Sequence, residues 1–331
     1  MSQLSTSAAS PPPNWVESRH PLGWAIDRLL AVAPVRQLLF QQARGLIIRT
    51  AEGRGIAWRE RRDQLRDAAE PGLASVSDPT VQLPDYYHAR FHAYHQGNLC
   101  WEAACEAEQA TDSMALRVWP EEPQLAPATA QQRLRDAIFA AIEPSLQAPV
   151  RRALDLGCSV GVGTLALRQW LQDRDPEAGA DLRVEGLDLS PYMLAVAKVR
   201  DGDSRIAAWH HAAAEATGLE SGSYDLITLQ FVCHELPADA SRAVLREAAR
   251  LLRLGGVIAL VDQDPESELI RRLPAPVATL LKSTEPYLED YFRLDLAAAL
   301  VAVGFTAVRR VACDPRHRVL VASRSLPVEA D

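Results

Sequence analysis

From Arg151 onward, short aliphatic runs alternate with amphipathic stretches, and that alternation most narrows the folds open to this chain. The runs at 152–156, 182–187, about 206–210, 224–230 and 256–261 have strand length. The stretches near 162–172, 191–199 and 239–253 carry apolar residues at helical spacing. Parallel neighbours need a crossover, so buried strands separated by helices predict a parallel sheet covered on both faces. A mostly helical insert follows Asp262 and runs to about 303. Two last strands, near 305–312 and 317–323, are joined by Cys313-Asp-Pro-Arg-His317, too short for a crossover helix. They must pair as an antiparallel hairpin at the sheet edge. The expected class is α/β, a doubly wound, mostly parallel sheet of seven strands.

The region ahead of the sheet has a different character. Residues 1–20, rich in Ser, Ala and Pro, are expected to be a disordered tail. Residues 21–150 form a helical N-terminal cap region, 151–325 the α/β domain, and 326–331 a second tail. Helical spacing runs from Leu22 to about Asp67 through Leu29, Leu30, Ala33, Leu38, Leu39, Ile47 and Ile48. Pro34 starts a helix there, and Gly53 to Gly55 interrupt it. Residues 70–84 read as a linker, Asp85–Trp119 as one long helix, and Ala128–Ile142 as another. Arginines at 44, 49, 54, 59, 61, 62 and 66 allow weak peripheral membrane association, though a solvated face is the plainer reading.

Charge and composition exclude several roles. A net charge of −8 over 331 residues, with a pI near 5.6, argues against a nucleic-acid partner, which needs a basic face. No apolar run is long enough for a transmembrane helix, and the first residues lack the basic start and apolar core of a secretory signal. Five cysteines, an odd number with no Cys-x-x-Cys pair, indicate neither a disulfide framework nor a zinc finger. A reducing cytoplasmic compartment fits that usage.

The strongest local signal is Ala153-Leu-Asp155-Leu-Gly157-Cys-Ser159-Val-Gly161-Val-Gly163-Thr: a strand ending in an acid, a glycine-rich turn, then a helix. Glycines let the backbone approach a ligand closely. A second strand, Val184-Glu-Gly-Leu-Asp188, also ends in an acid, placed to bond a ribose diol. Gly161-Val-Gly163-Thr-Leu-Ala166 satisfies the dinucleotide pattern Gly-x-Gly-x-x-Ala, so an NAD-dependent oxidoreductase is one alternative. In that pattern the first glycine closely follows the strand, whereas Asp155-Leu-Gly157-Cys-Ser-Val intervenes here. A carboxylate at Asp155 is also misplaced beside a pyrophosphate. It suits S-adenosylmethionine (SAM), which carries an amino group, a sulfonium and a ribose but no phosphate.

Residues 151–323 resemble a class I SAM-dependent methyltransferase in four ordered pieces. These are Asp155-Leu-Gly157-Cys-Ser-Val-Gly161, Gly186-Leu-Asp188-Leu-Ser, Ser223-Tyr-Asp225-Leu-Ile and Leu252-Arg-Leu-Gly255-Gly256. A narrower resemblance, to an uncharacterised methyltransferase-like group of cyanobacteria and plant plastids, is carried by Phe91-His-Ala-Tyr-His-Gln-Gly97-Asn98-Leu and Phe231-Val-Cys-His-Glu235. Lys282-Ser-Thr-Glu-Pro286 and Asp314-Pro-Arg-His-Arg318 add to it. The resemblance implies that Asp155, Gly157 and Gly161 line the methionine portion of SAM, with Ser159 where a glycine is usual. It also implies that Asp188 holds the ribose and Leu189 packs beside the adenine. The acid that many relatives place near the adenine amine falls at Ala213 here, followed by Ala214 and Glu215, and Glu215 is the candidate substitute.

Methyl transfer needs an aligned acceptor, exclusion of water and sometimes removal of a proton. Gln230, Phe231, Cys233, His234 and Glu235 follow the fourth strand, where side chains face the crevice. His234 is the candidate general base, with packing against the donor as its structural alternative. Cys233 reads equally as a small buried hydrophobe. His88, His92 and His95 would share one face of the long helix, but no metal is expected; Tyr87, Phe91 and Tyr94 would instead roof an acceptor pocket, joined by Tyr287 from the insert. The expected function is methyl transfer from SAM to a small-molecule acceptor, with a non-catalytic SAM-binding regulatory protein as the alternative.

Overall fold

The computed structural model describes residues 12–16, 24, 28, 32–92 and 94–325. Leu29, Leu30, most of the expected N-terminal tail and residues 326–331 lie outside the described residues. The five parallel strands are β1 (Arg152–Leu156), β2 (Arg183–Asp188), β3 (Ala208–His211), β4 (Tyr224–Gln230) and β5 (Leu252–Gln263). With β6 (Phe305–Ala312) and β7 (His317–Arg324) they form one seven-stranded sheet of order β3-β2-β1-β4-β5-β7-β6. β7 runs antiparallel to both β5 and β6, so the hairpin closes that edge as its short connection requires. The sequence of strand positions reverses at β1, where β1 pairs with both β2 and β4. Crevices open at such a switch point, beyond the carboxyl ends of the strands.

Among the described residues, the α-helices ahead of the sheet include α1 (Ala33–Gly53), α2 (Trp58–Ala69), α3 (Trp101–Val118) and α4 (Pro127–Ile142). Pro34 at the start of α1 and Gly55 at φ +84° after its end account for those boundaries. Within the sheet, α5 (Val162–Arg174), α6 (Pro191–Arg200) and α7 (Ala238–Leu251) are the crossovers. After β5 come α8 (Glu268–Arg271), α9 (Ala275–Thr284), α10 (Leu288–Arg293) and α11 (Leu296–Ala302). Among the described residues no helix is long and apolar enough to cross a membrane.

Three expectations need correction. The long helix over 85–119 is helical only as a short 3-10 turn, Asp85–His88, and then as α3. Gly97 adopts φ +55°, and a Cβ there would strike the Ala89 carbonyl, so the chain turns rather than coils. The expected helix end at 253 is also late: Leu252 already pairs with Tyr224, and the Arg253 guanidinium is bound to Asp225. Finally, Trp15 and Val16 lie inside the expected N-terminal tail yet are 4% and 3% exposed, packed in the main core.

The arginine-rich stretch is largely consumed internally. Arg44 pairs with Glu106, Arg59 with Glu52, Arg61 with Asp112, Arg62 with Asp63 and Arg66 with Glu70. Arg54 donates to the Leu125 carbonyl at 3.4 Å. Arg44, Arg59 and Arg61, with Arg62 also 3.7 Å from Glu106, tie α1 and α2 to α3 or to each other.

Candidate active site

The glycine-rich loop leaves β1 through three left-handed residues, Gly157 (φ +73°), Ser159 (φ +49°) and Gly161 (φ +78°). The Gly157 and Cys158 amides both donate to the Leu187 carbonyl, at 2.8 and 2.9 Å, which fixes the loop against β2. Glycine is required at both ends by packing as well as by φ. A Cβ on Gly157 would lie 2.6 Å from Val232 Cγ2, and one on Gly161 would lie 2.7 Å from Trp209 Cη2.

Asp188, at the end of β2, accepts the amides of Ser159 and Ser190, each at 2.8 Å. Burial outweighs those two bonds, and with Glu235 and Asp155 nearby the carboxyl is pushed up to about 6. Each oxygen keeps capacity for a further donor. Leu189 follows, 7% exposed, its carbonyl 3.1 Å from His211 Nε2. Ala213 and Ala214 offer no side-chain acceptor, and Glu215 accepts the Tyr86 hydroxyl.

Asp155, expected beside the methionine portion, is engaged by protein donors. It is 2% exposed and accepts Thr164 Oγ1 and Thr228 Oγ1 at 2.7 Å each and Gln230 Nε2 at 3.2 Å. Thr228 is its register partner on β4. Gln230 in turn accepts Arg135 Nη1 of α4 at 2.6 Å. Burial raises the Asp155 carboxyl against the lowering effect of these bonds and of Arg135. The acid of the loop is thus an internal brace joining β1, β4, α5 and, through Gln230, α4.

Past β4, Phe231 takes a left-handed conformation (φ +61°), and residues 233–235 make a 3-10 turn. His234 is 7% exposed. Its Nδ1 lies 2.8 Å from Asp262 Oδ1, and its amide donates to Asp262 Oδ2 at 3.1 Å. Burial opposes its charge, but Asp262 outweighs burial and raises the imidazole to about 10. Glu235 lies 2.8 Å from His92 Nε2 and accepts Asn98 Nδ2 at 2.8 Å; although burial opposes it, these partners hold its carboxyl below the usual range. Cys233 is buried, and burial raises its thiol, so it is an inert apolar side chain.

After the 3-10 turn Asp85–His88 the chain is not helical before α3 among the described residues, and it meets this region through Tyr86 on Glu215 and through His92 and Asn98 on Glu235. Tyr87 is half-buried, its hydroxyl raised by burial and by the charges of Asp188 and Glu235. Phe91 is 1% exposed and packs 5.9 Å from the Tyr287 ring, and the Tyr287 hydroxyl donates to the Tyr86 carbonyl at 3.2 Å. Tyr94 does not join them: its hydroxyl donates to Glu106 of α3 at 2.8 Å, beneath Arg44. His88 and His95 are exposed, and among the described residues no three His, Cys, Asp or Glu side chains are grouped to hold a metal.

Reading the sequence left out Asp262, Asn98 and Arg135. Asp262 carried a usable signal, since it ends an aliphatic strand as Asp155 and Asp188 do. Arg135 carried none, because a buried arginine on an amphipathic helix looks like any solvated one.

The pattern that defines the methyltransferase-domain family matches residues 154–260, from β1 into β5. Over 162 residues the chain is 30% identical to an uncharacterized methyltransferase of Synechocystis sp., a match spanning 49% of this chain and 70% of that relative. The chain belongs to the class I SAM-dependent methyltransferases. This methyltransferase is also 34% identical over 108 residues to a ubiquinone biosynthesis O-methyltransferase of Burkholderia vietnamiensis. That match takes in 32% of this chain and 41% of that enzyme. Among solved structures, human N-acetylserotonin methyltransferase in complex with SAM is similar at 15% identity and a TM-score of 0.46, covering 78% of this chain and 67% of that one.

S-adenosylmethionine is the methyl donor of this enzyme, and the NAD alternative is set aside. The residues fit such a ligand: a carboxylate with spare acceptor capacity at Asp188 beside a loop of left-handed turns, with no cationic side chain among the described residues bonded to that carboxylate.

Proposed function

We propose that this methyltransferase acts on a small organic acceptor bearing an ionisable hydroxyl, held where β4 and β5 end. The observation that carries the reading is the buried His234–Asp262 pair, whose Nδ1 bond leaves Nε2 for the acceptor. In this reading Asp188 takes the ribose hydroxyls, the Gly157–Gly161 loop backs the methionine portion, and Leu189 packs on the adenine. Tyr86, Tyr87, Phe91 and Asn98, with the insert after Gln263, wall the acceptor side.

SAM supplies an electrophilic methyl group: an O–CH3 bond forms, the S–CH3 bond breaks, and a neutral thioether leaves. His234 receives the hydroxyl proton at Nε2. Asp262 fixes the Nδ1–H tautomer and stabilises the imidazolium that results. A histidine near 10 is matched to a phenolic hydroxyl of about 10, so the proton is shared at little cost. At pH 7 the resting imidazole already holds a proton, and that proton must leave first.

Turnover of simple phenols, read as S-adenosylhomocysteine formation, should therefore rise about tenfold per pH unit above neutrality, towards a plateau near 10. His234→Gln should lower turnover by roughly 10²-fold and flatten the profile. Full turnover with an unchanged profile in His234→Gln would end this assignment.

A further inference from the structure

Glu285 lies between α9 and α10, its amide bonded to the Leu281 carbonyl at 2.9 Å and its carbonyl to the Leu288 amide at 3.2 Å. The preceding carbonyl, of Thr284, receives the His92 amide at 2.9 Å, which draws this corner against the roof of the crevice. Next to it, α10 packs over the turn that carries His234, with the Tyr291 ring 6.5 Å from the imidazole. Glu285 is 7% exposed, and its Oε2 is buried with no hydrogen-bond partner. No cation among the described residues reaches ion-pair distance of it.

The groups whose charges act on Glu285 are His234, His92, Glu235 and Asp262, and its own charge is felt by Arg316. Four of these are already matched: His234 with Asp262, and His92 with Glu235. Two histidines thus face three carboxyls, each histidine already bound to one of them, and Glu285 is left over, with the Arg316 guanidinium beyond ion-pair distance. Burial pushes its carboxyl above the usual range, against the pull of the two histidines. An unpaired buried carboxylate is costly, and the cost is relieved by a proton or by a cationic donor placed against it.

We infer that Glu285 receives a protonated amino group of the acceptor, so that the substrates are small hydroxy compounds carrying an amine. The inference rests on reading this crevice as the acceptor site. The hydroxyl lies at His234 and the ammonium at Glu285, which orients the molecule with its oxygen towards the donor. Ammonium binding gives the buried carboxyl the charge partner that no side chain among the described residues supplies at ion-pair distance.

The test uses the full-length protein loaded with S-adenosylhomocysteine. The probes are ω-aminoalkylphenols with one to three methylenes before the amine, each compared with its alkylphenol. By calorimetry at pH 7.5, at least one aminophenol should bind roughly tenfold or more tighter than its partner. Glu285→Gln should erase that preference and leave S-adenosylhomocysteine affinity unchanged. Glu285→Met, which removes the unpaired carboxyl, should do the same while raising Tm without ligand, a gain that a merely structural carboxylate would not give. Equal binding of each pair, no binding of any aminophenol, or a preference surviving in Glu285→Gln would overturn the inference. Binding needs no turnover, so this outcome is separate from the pH profile that tests His234.

Discussion

Glu185 sits in the middle of β2, 1% exposed, and accepts hydrogen bonds from Arg152 Nε and Tyr224 Oη at 2.8 Å each, with His210 Nε2 also at 2.8 Å. Burial opposes its charge, but His210, Arg152 and Tyr224 outweigh burial and hold the carboxyl at about 2. Its folded pKa lies below its unfolded one. The stabilisation is therefore complete above the ordinary glutamate range and is lost as pH falls through about 2. The shift corresponds to about 3 kcal/mol at neutral pH. Glu185→Gln should destabilise the protein at pH 7 and make Tm less steep between pH 5 and 2, as followed by thermal denaturation. Nothing in the sequence marks this residue, because a mid-strand acid looks solvated and its partners lie 33, 39 and 25 positions away. Asp188 stands out in the sequence as a strand-end acid following a glycine-rich turn, and in the fold it does accept that turn's Ser159 amide. Asp155 has the same signature, yet Thr164 and Thr228 occupy it, and both threonines read as ordinary strand and helix residues.

At the scale of elements, the turn after β1 and the turn after β4 are packed into each other through Gly157 and Val232. Gly157→Ala incurs two separable costs, the left-handed φ and a Cβ 2.6 Å from Val232. The first is about 1–2 kcal/mol for any side chain. The second depends on what faces it. Gly157→Ala alone should lower stability by more than that backbone cost in chemical denaturation, and Val232→Ala in the same chain should restore the steric part only. A purely additive double variant would show that the two turns do not constrain each other. The strands and crossover helices were readable because their apolar periodicity is local. The stretch from 85 to 100 was not, since its composition suits a helix while its bonds go elsewhere: His92 to Thr284, Asn98 to Glu235, Tyr86 to Glu215. Such distant partners override local propensity without leaving a trace in it.

Over the whole molecule, the two ends of the architecture meet at Trp15. Its indole N–H donates to the Ile270 carbonyl at 2.6 Å across 255 residues, and its ring meets Phe292 edge-on at 5.3 Å. Phe292 belongs to α10, one face of which carries Tyr291 beside His234. Trp15 thus braces α10 from the far end of the chain, although its Ser- and Pro-rich surroundings give no hint of burial. Trp15→Ala should cost about 3–5 kcal/mol of stability, the range for emptying a buried aromatic site. Trp15→Phe keeps most of the ring and should cost about 1 kcal/mol, mainly for the lost hydrogen bond. Because α10 also neighbours Glu285, Trp15→Ala should weaken acceptor binding while S-adenosylhomocysteine binding, on the β1–β2 side of the sheet, stays as it was. Equal losses on both sides, measured by calorimetry below the unfolding range, would mean that the brace steadies the whole domain rather than the acceptor wall.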